Sequence, residues 1–208
     1  MDFLKSSSII ALLFMVLCAQ TTLAQSDAAI INAFKQSYSH EAKADYTKAI
    51  ESLKKVYKDG SYELNLRLGW LTYLSGLFTD AEAYYQKCVT LLPYSIEAKL
   101  GLVYPTAAQG KWEMVIKQYN KILAIDPKNS TANYRLGLIY YGRKEYKKAY
   151  TYFDKNVNLY PFSYNGLIMF AWCNLQTGKL REAKILFNKV LMLSPDDKSA
   201  LEGLGMIK

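Results

Sequence analysis

Residues that could carry catalytic or metal chemistry are few in this chain of 208 residues, and their spacing matches no common active site. The one histidine, His40, has neither a second histidine nor a cluster of cysteines with which to hold a metal ion. No serine lies in a G-x-S-x-G motif, and no pair of acids stands apart from the acids of ordinary turns. The sequence therefore predicts no catalytic residue, no metal site and no cofactor, and it favours a binding or structural protein over an enzyme.

Aromatic and basic side chains are what remains for function. Aromatic residues make up 14% of the chain, and 26 lysines and arginines against 18 acids give a net charge of +8. Rings bind ligands by stacking and burial, and an excess of cations attracts anionic surfaces. Which of these side chains can act together depends on the elements that position them.

Proline recurs in the sequence at a fixed period. Four of the five prolines stand 34 residues apart, at Pro93, Pro127, Pro161 and Pro195. A period of this size indicates stacked units, each of them a helical hairpin that buries its apolar face only against its neighbours. Proline closes each second helix, because the residue before a proline is pushed out of the helical region.

Other residue types recur at the same period. Glycine near the middle of a unit is predicted to end the first helix in the left-handed conformation, and Lys144 stands in one unit where the others have Gly76, Gly110 and Gly178. An alanine, replaced by Val115 in one unit, is then predicted to lie where the second helix crosses the first, and four residues later an aromatic side chain is predicted to fill the gap between hairpins. These aromatic residues are Tyr85, Tyr119, Phe153 and Phe187.

A leucine–glycine pair, an alanine followed four residues later by an aromatic residue, and a closing proline together resemble the tetratricopeptide-repeat family. The resemblance implies an all-α fold, a right-handed superhelical solenoid of helix-turn-helix hairpins, whose first helices line a concave groove for peptide or protein ligands. The sequence departs from the family where a tryptophan is expected near the start of each unit. The residues found there are Asn65, Lys99, Asn133 and Leu167.

The repeat register divides the chain into segments. We expect a signal peptide, a linker, an irregular first hairpin, four full repeats and a C-terminal capping helix. Their respective bounds are 1–24, 25–29, 30–61, 62–95, 96–129, 130–163, 164–197 and 198–208.

The first 24 residues are typical of a secretory signal. Lys5 supplies the positive start, residues 9–19 form an apolar run, and small residues lead to a predicted cleavage after Ala24. The run is shorter than the roughly 20 residues that cross a bilayer, which argues against an uncleaved anchor. A lipid anchor at Cys18 is disfavoured by the bulky Leu17 before it. We therefore expect an exported protein without a transmembrane segment in the mature chain and, by resemblance to exported members of the family, a location in the bacterial periplasm.

Each first helix carries a second apolar stripe, on the side away from its core residues. We predict that its members form the ligand-binding groove, although Leu66, Leu100 and Ile168 suit inter-repeat core equally well. The predicted groove residues are Phe34, Tyr38, Trp70, Tyr73, Tyr104, Tyr134, Leu138, Tyr141 and Trp172. Arg67 and Arg135 flank the stripe and are predicted to line its rim, where they could pair with an acidic ligand group.

Pro105 breaks the period, because it falls inside a predicted first helix. There it removes a hydrogen bond to the carbonyl of Gly101 and is expected to kink the helix. The small Ala107 and Ala108 follow one turn later, so a hollow between Trp70, Tyr73, Tyr134 and Tyr141 is one interpretation and a tolerated kink without a role is the other.

Two functions from different classes fit these features. The first is a non-enzymatic exported adaptor that binds an apolar or aromatic peptide or protein segment in the groove, since the stripe has no lysine to clamp a carboxylate. The second is a structural subunit of a cell-envelope secretion or polysaccharide assembly, held by a basic convex face that could also associate with an anionic surface. A glycan-binding protein is a more distant third, and export disfavours nucleic acid as a partner.

Overall fold

The computed structural model describes residues 27–207, and these residues are all-helical, as the sequence predicts. The predicted signal peptide, the start of the linker and Lys208 lie outside the described residues. Eleven helices follow one another within the described part of the chain. They are α1 (27–41), α2 (Tyr46–Lys54), α3 (Tyr62–Leu74), α4 (Phe78–Leu91), α5 (Ile96–Ala108), α6 (Trp112–Ile125), α7 (Ser130–Gly142), α8 (Tyr146–Leu159), α9 (Tyr164–Gln176), α10 (Leu180–Leu193) and α11 (Lys198–Gly205).

The chain divides into two compact units. Unit 1 ends at Gln109 and contains α1–α5, and unit 2 begins at Gly110 and contains α6–α11. In unit 1, α3 packs on both α2 and α4, and α4 packs on α5. In unit 2 the pairs α7–α8 and α9–α10 form antiparallel hairpins, and α8 packs on α9 and α10 on α11. Each unit is therefore a run of helical hairpins in which each helix packs on its neighbours in sequence.

Local sequence sets the ends of the helices. The side chains of Ser61, Ser95 and Asn129 accept a hydrogen bond from the third backbone N–H of α3, α5 and α7, which begins those helices. Gly76, Gly110 and Gly178 have φ of 79°, 70° and 77°, so the predicted left-handed turn after the first helix is confirmed at all three. Lys144 adopts the same conformation at φ 61° without the freedom of glycine.

The aromatic residues predicted to fill the gaps between hairpins are all buried. Tyr85 packs against both Gly69 of its own hairpin and Gly101 of the next, and Phe187 packs against Gly203. Each ring occupies space that a Cβ atom at the facing glycine would need. Close helix approach and ring burial therefore depend on each other at these positions.

In three units, the residue at the position where the family has tryptophan stabilises the preceding turn by hydrogen bonds. The Nδ2 of Asn65 donates to the carbonyls of Asp59 and Ser61, at 2.8 and 2.7 Å. Asn133 makes the same two bonds, to Pro127 and Asn129. The ammonium of the buried Lys99 likewise donates to the carbonyls of its own turn, so three units use a polar side chain for one task.

The proline at position 105 does not end its helix, since α5 runs from Ile96 through Ala108. Pro105 is buried, and its carbonyl accepts hydrogen bonds from the backbone N–H and the side-chain amide of Gln109, both at 3.1 Å. The same amide also donates to Glu82 of α4 at 2.8 Å. The hollow predicted beside this helix stays a prediction, because its walls come from both units.

Candidate ligand-binding faces of the first helices

Three rings predicted for the groove form one cluster in unit 1. The centroids of Trp70 and Tyr73 on α3 are 5.9 Å apart, and Tyr104 on α5 lies 6.2 Å from Trp70 and 5.5 Å from Tyr73. Tyr104 is 48% exposed, and the other two are half-buried. The rings belong to successive first helices, so they present one continuous aromatic surface, which we call the unit 1 face.

A polar network fixes the tryptophan of this face. The indole Nε1–H of Trp70 donates to Glu41 Oε1 at 2.7 Å, and the second oxygen of Glu41 lies 2.6 Å from Arg67 Nη2. Burial opposes the charge on Glu41, but the hydrogen bonds from Arg67 and Trp70, together with the guanidinium charge, hold its pKa below the ordinary value. The indole is therefore held in one orientation by a charged acceptor.

The rim position predicted for Arg67 is wrong. Its side chain is 8% exposed, it pairs with Glu41, and its Nε–H donates to Ser37 Oγ at 3.2 Å. The guanidinium also lies 3.8 Å from the centroid of the Tyr38 ring, which covers it. Arg67 therefore joins α3 to α1 and does not line an exposed rim. Arg135, its counterpart in unit 2, is exposed as a rim residue would be.

The two aromatic residues of α1 differ in exposure. Phe34 is half-buried against the core of the first hairpins, whereas Tyr38 is exposed and lies 6.5 Å from Phe34. Tyr38 stacks on Arg67, so one side of its ring is used within the protein.

The predicted groove residues of unit 2 are more deeply engaged in packing. Tyr134 lies 6.1 Å from the buried ring of Phe153, and Trp172 meets Phe187 edge-on at 5.3 Å. Trp172 also donates from Nε1 to Ser199 Oγ of α11 at 2.8 Å.

Tyr141 packs against Tyr146, and burial raises the pKa of its hydroxyl. Leu138 is half-buried against the same apolar core. Three aliphatic residues of the stripe suit either the groove or the core between repeats. In the structure Ile168 is buried in the core, and Leu66 and Leu100 are half-buried. All three predicted groove rings of unit 2 are therefore half-buried in packing, whereas Tyr38 and Tyr104 of unit 1 are exposed.

Sequence patterns did not identify two residues that shape the unit 1 face, Glu41 and Ser37. Both lie on α1, in the hairpin that has no closing proline and the weakest repeat pattern. The sequence feature that could have indicated them is their four-residue spacing, which places both side chains on one side of a helix.

Within residues 27–207 no group of three or more histidines, cysteines or acids could hold a metal ion. None of the helices there combines the length and the apolar character that a membrane crossing requires.

Comparisons with known proteins agree with the helical hairpins. Residues 34–96 match the family model of the tetratricopeptide repeat, and residues 108–190 match that of anaphase-promoting complex (cyclosome) subunit 3. A curated relative, the RNA polymerase-associated protein CTR9 of Caenorhabditis elegans, is 29% identical over 98 residues. That match covers 47% of this chain and 8% of CTR9.

Solved structures share the fold. A tetratricopeptide-repeat protein from Parabacteroides merdae superposes with a TM-score of 0.73 at 24% identity, over 85% of this chain and 71% of that one. A structure of MamA superposes with a TM-score of 0.68 at 25% identity, over 79% of this chain and 91% of MamA. With the helical hairpins of both units, these likenesses show that the chain has an all-α helical-repeat solenoid fold similar to that of tetratricopeptide-repeat proteins.

Proposed function

We propose that this protein is a non-enzymatic, exported adaptor that binds a peptide or protein segment with the aromatic faces of its first helices. The observation that carries the proposal is the cluster of Trp70, Tyr73 and Tyr104, in which three rings lie in mutual contact and Tyr104 remains 48% exposed. Clustered aromatic surface that the protein does not cover itself is typical of an interaction site.

The charges beside the unit 1 face limit the kinds of ligand side chain that it can bind. Glu41 and Arg67 neutralise each other, and the ammonium of Lys99 is turned to backbone carbonyls. A ligand carboxylate finds no exposed cation on α3 or α5, since their basic residues Arg67 and Lys99 are both buried. Apolar or aromatic side chains of the ligand, gripped by burial and ring contact, suit this face best.

The likeness to proteins of larger assemblies supports an interaction role. Of the proteins that it resembles, one is a subunit of the anaphase-promoting complex and another is associated with RNA polymerase. Tetratricopeptide repeats generally act as interaction modules without chemistry of their own. We extend that role, but neither of those partners, to this chain.

Two tyrosines of the unit 1 face give the sharpest test of the adaptor. Tyr73→Ala with Tyr104→Ala removes ring surface without touching the Glu41 network. We expect this double variant to lose the partner that the wild-type chain captures from native envelope extract. Tyr94→Ala is the matched control, because Tyr94 is 83% exposed in the turn between α4 and α5 and its loss removes a ring elsewhere. Equal capture by all three proteins would refute the adaptor.

A structural subunit of an envelope assembly is the second candidate, and the exposed lysines of α8 favour it. If the tyrosine variants capture normally while Lys147→Glu with Lys148→Glu abolishes capture, the scaffold replaces the adaptor. Export is tested separately. We expect N-terminal sequencing of the protein from its native cell to begin at Gln25, and an intact Met1 would contradict cleavage.

A further inference from the structure

The net positive charge of the protein is confined to one of its two units. Residues 1–109 contain ten basic and ten acidic residues, whereas residues 110–208 contain sixteen basic and eight acidic residues. The whole net charge of +8 therefore belongs to unit 2. A charge asymmetry of this size between two halves of a chain points to an anionic partner for the basic half.

The outer side of α10 combines this charge with exposed apolar side chains. Arg181, Ile185, Asn188 and Met192 follow the spacing of one helical face, and all four are exposed. Ile185 is 50% and Met192 71% exposed. Lys184, on the flank of this face, is exposed too. We call this surface the α10 face.

No other repeat places large apolar residues at these two positions. The counterparts of Ile185 at 34-residue steps are Ala83, Lys117 and Thr151. Those of Met192 are Thr90, Ala124 and Asn158. The packing of the hairpins therefore does not require an apolar residue at either position, and the two on α10 need another explanation.

We propose that the α10 face binds the surface of an anionic lipid bilayer. Arginine and lysine would meet the headgroups, and Ile185 and Met192 would enter the boundary between headgroups and acyl chains, with the helix lying in the plane of the membrane. Charge complementarity argues for lipid, because Arg181 and Lys184 lie within one helical turn of the exposed Ile185. A polyanion without an apolar phase, such as nucleic acid, would leave Ile185 and Met192 without a role.

Helix α10 itself carries three basic residues, Arg181, Lys184 and Lys189, against one acid, Glu182, and further acids follow its end. Glu182 is exposed on the neighbouring side of the helix, and Asp196 follows in the next turn. The carboxylate of Asp197 accepts from Tyr164 Oη at 2.6 Å and from the backbone N–H of Ala200 at 2.8 Å, so it is held towards α9 and α11. A protein partner is less suited than a membrane, because two exposed apolar side chains fall well short of the roughly 800 Å² that each partner of a stable protein interface buries.

Co-sedimentation of the full chain with vesicles tests the proposal. Vesicles of phosphatidylglycerol are compared with vesicles of phosphatidylcholine, at low and high salt. Residues 1–24 are the same in every variant, so differences between variants report the α10 face. We expect the wild-type chain to prefer the anionic vesicles and to lose that preference at high salt.

Two variants of the α10 face and one control separate the contributions. Arg181→Glu with Lys184→Glu should weaken binding to anionic vesicles by more than about twentyfold, because each cation near such a surface contributes about fivefold. Ile185→Ser with Met192→Ser should weaken binding while its salt dependence remains. The control, Lys117→Glu with Lys121→Glu on α6, lowers the net charge equally and should cost less than about fivefold. Tyr73→Ala with Tyr104→Ala should bind vesicles as the wild type does, so failure of the adaptor and failure of this proposal are distinguishable.

Three results would overturn the proposal. Equal loss in the α6 control would assign binding to diffuse charge. Unchanged binding by Ile185→Ser with Met192→Ser would exclude insertion. Binding of a double-stranded DNA probe that is stronger than vesicle binding and lost with the same arginine and lysine would identify a polyanion instead of a membrane.

Discussion

The ring of Tyr85 lies so close to the Cα of Gly101 that a methyl group there would overlap it. Tyr85 belongs to α4 and Gly101 to α5, so the contact sets how closely the second helix of one hairpin meets the first helix of the next. The same ring also touches Gly69 of its own hairpin.

Gly101→Ala should therefore destabilise the protein even though alanine favours helix. Overpacking against a buried ring costs about 1–3 kcal/mol and outweighs the gain of at most about 1 kcal/mol from helix propensity. Urea unfolding measures the difference. Gly142→Ala is the control, because nothing lies within 4 Å of a Cβ there, and it should leave stability unchanged or raise it. A stabilised Gly101→Ala would mean that the Tyr85 ring can move aside.

Glu41 and Arg67 should couple α1 to the rest of unit 1. Glu41→Gln keeps an acceptor for Trp70 but removes the charge facing the buried Arg67, which should cost about 2 kcal/mol of unfolding free energy at neutral pH. Hydrogen exchange should rise in residues 27–54, which lie in the first hairpin. Glu51→Gln, an exposed change on α2, serves as the control and should have no measurable effect.

The pH dependence of the stability difference between the wild type and Glu41→Gln provides a second test of the ion pair. The pKa of Glu41 is lowered in the folded protein from an ordinary value of 4.5, so its stabilisation is fully present above 4.5 and is lost as the pH falls through the lower, folded value. The difference in stability between the wild type and Glu41→Gln should therefore shrink in acid. A difference that stayed constant between neutral and strongly acidic pH would rule out the ion pair as its source.

Lys144 should be a site where glycine stabilises the protein. It holds φ 61° at the turn where three other units have glycine, and a side chain in that conformation costs about 1 kcal/mol. Lys144→Gly should recover up to that amount, less the greater entropy of glycine in the unfolded chain. Gly178→Ala makes the reciprocal change at φ 77° and should destabilise, although nothing lies within 4 Å of the added Cβ. Opposite signs in thermal unfolding are expected, and equal signs would contradict the argument.

The repeat pattern of the sequence predicts those features that recur in every repeat. Gly76 and Tyr85 could be interpreted correctly because a helix end and a gap between hairpins have the same local cause in every unit. Arg67 could not, since its partner Glu41 lies in the one hairpin without a closing proline, and only the packing of α1 on α3 brings them together. Lys99 departs from the family pattern in sequence, whereas in the structure its ammonium takes the place of the amides of Asn65 and Asn133 at the turn.

The reactivity of the cysteines tests both the burial of two of them in the fold and the predicted removal of the N-terminal residues. Cys88 and Cys173 are free and buried, and burial raises their pKa to about 12 and about 11. Almost no thiolate is then present at pH 8, so both should react with a disulfide reagent only as fast as the protein opens, and quickly once urea is added. Cys18 lies outside the described residues and is absent from a chain cleaved after Ala24. Protein from the native cell should therefore show no fast phase. A fast phase of one thiol per chain would indicate retained N-terminal residues, and a fast phase of two would contradict the burial of Cys88 or Cys173.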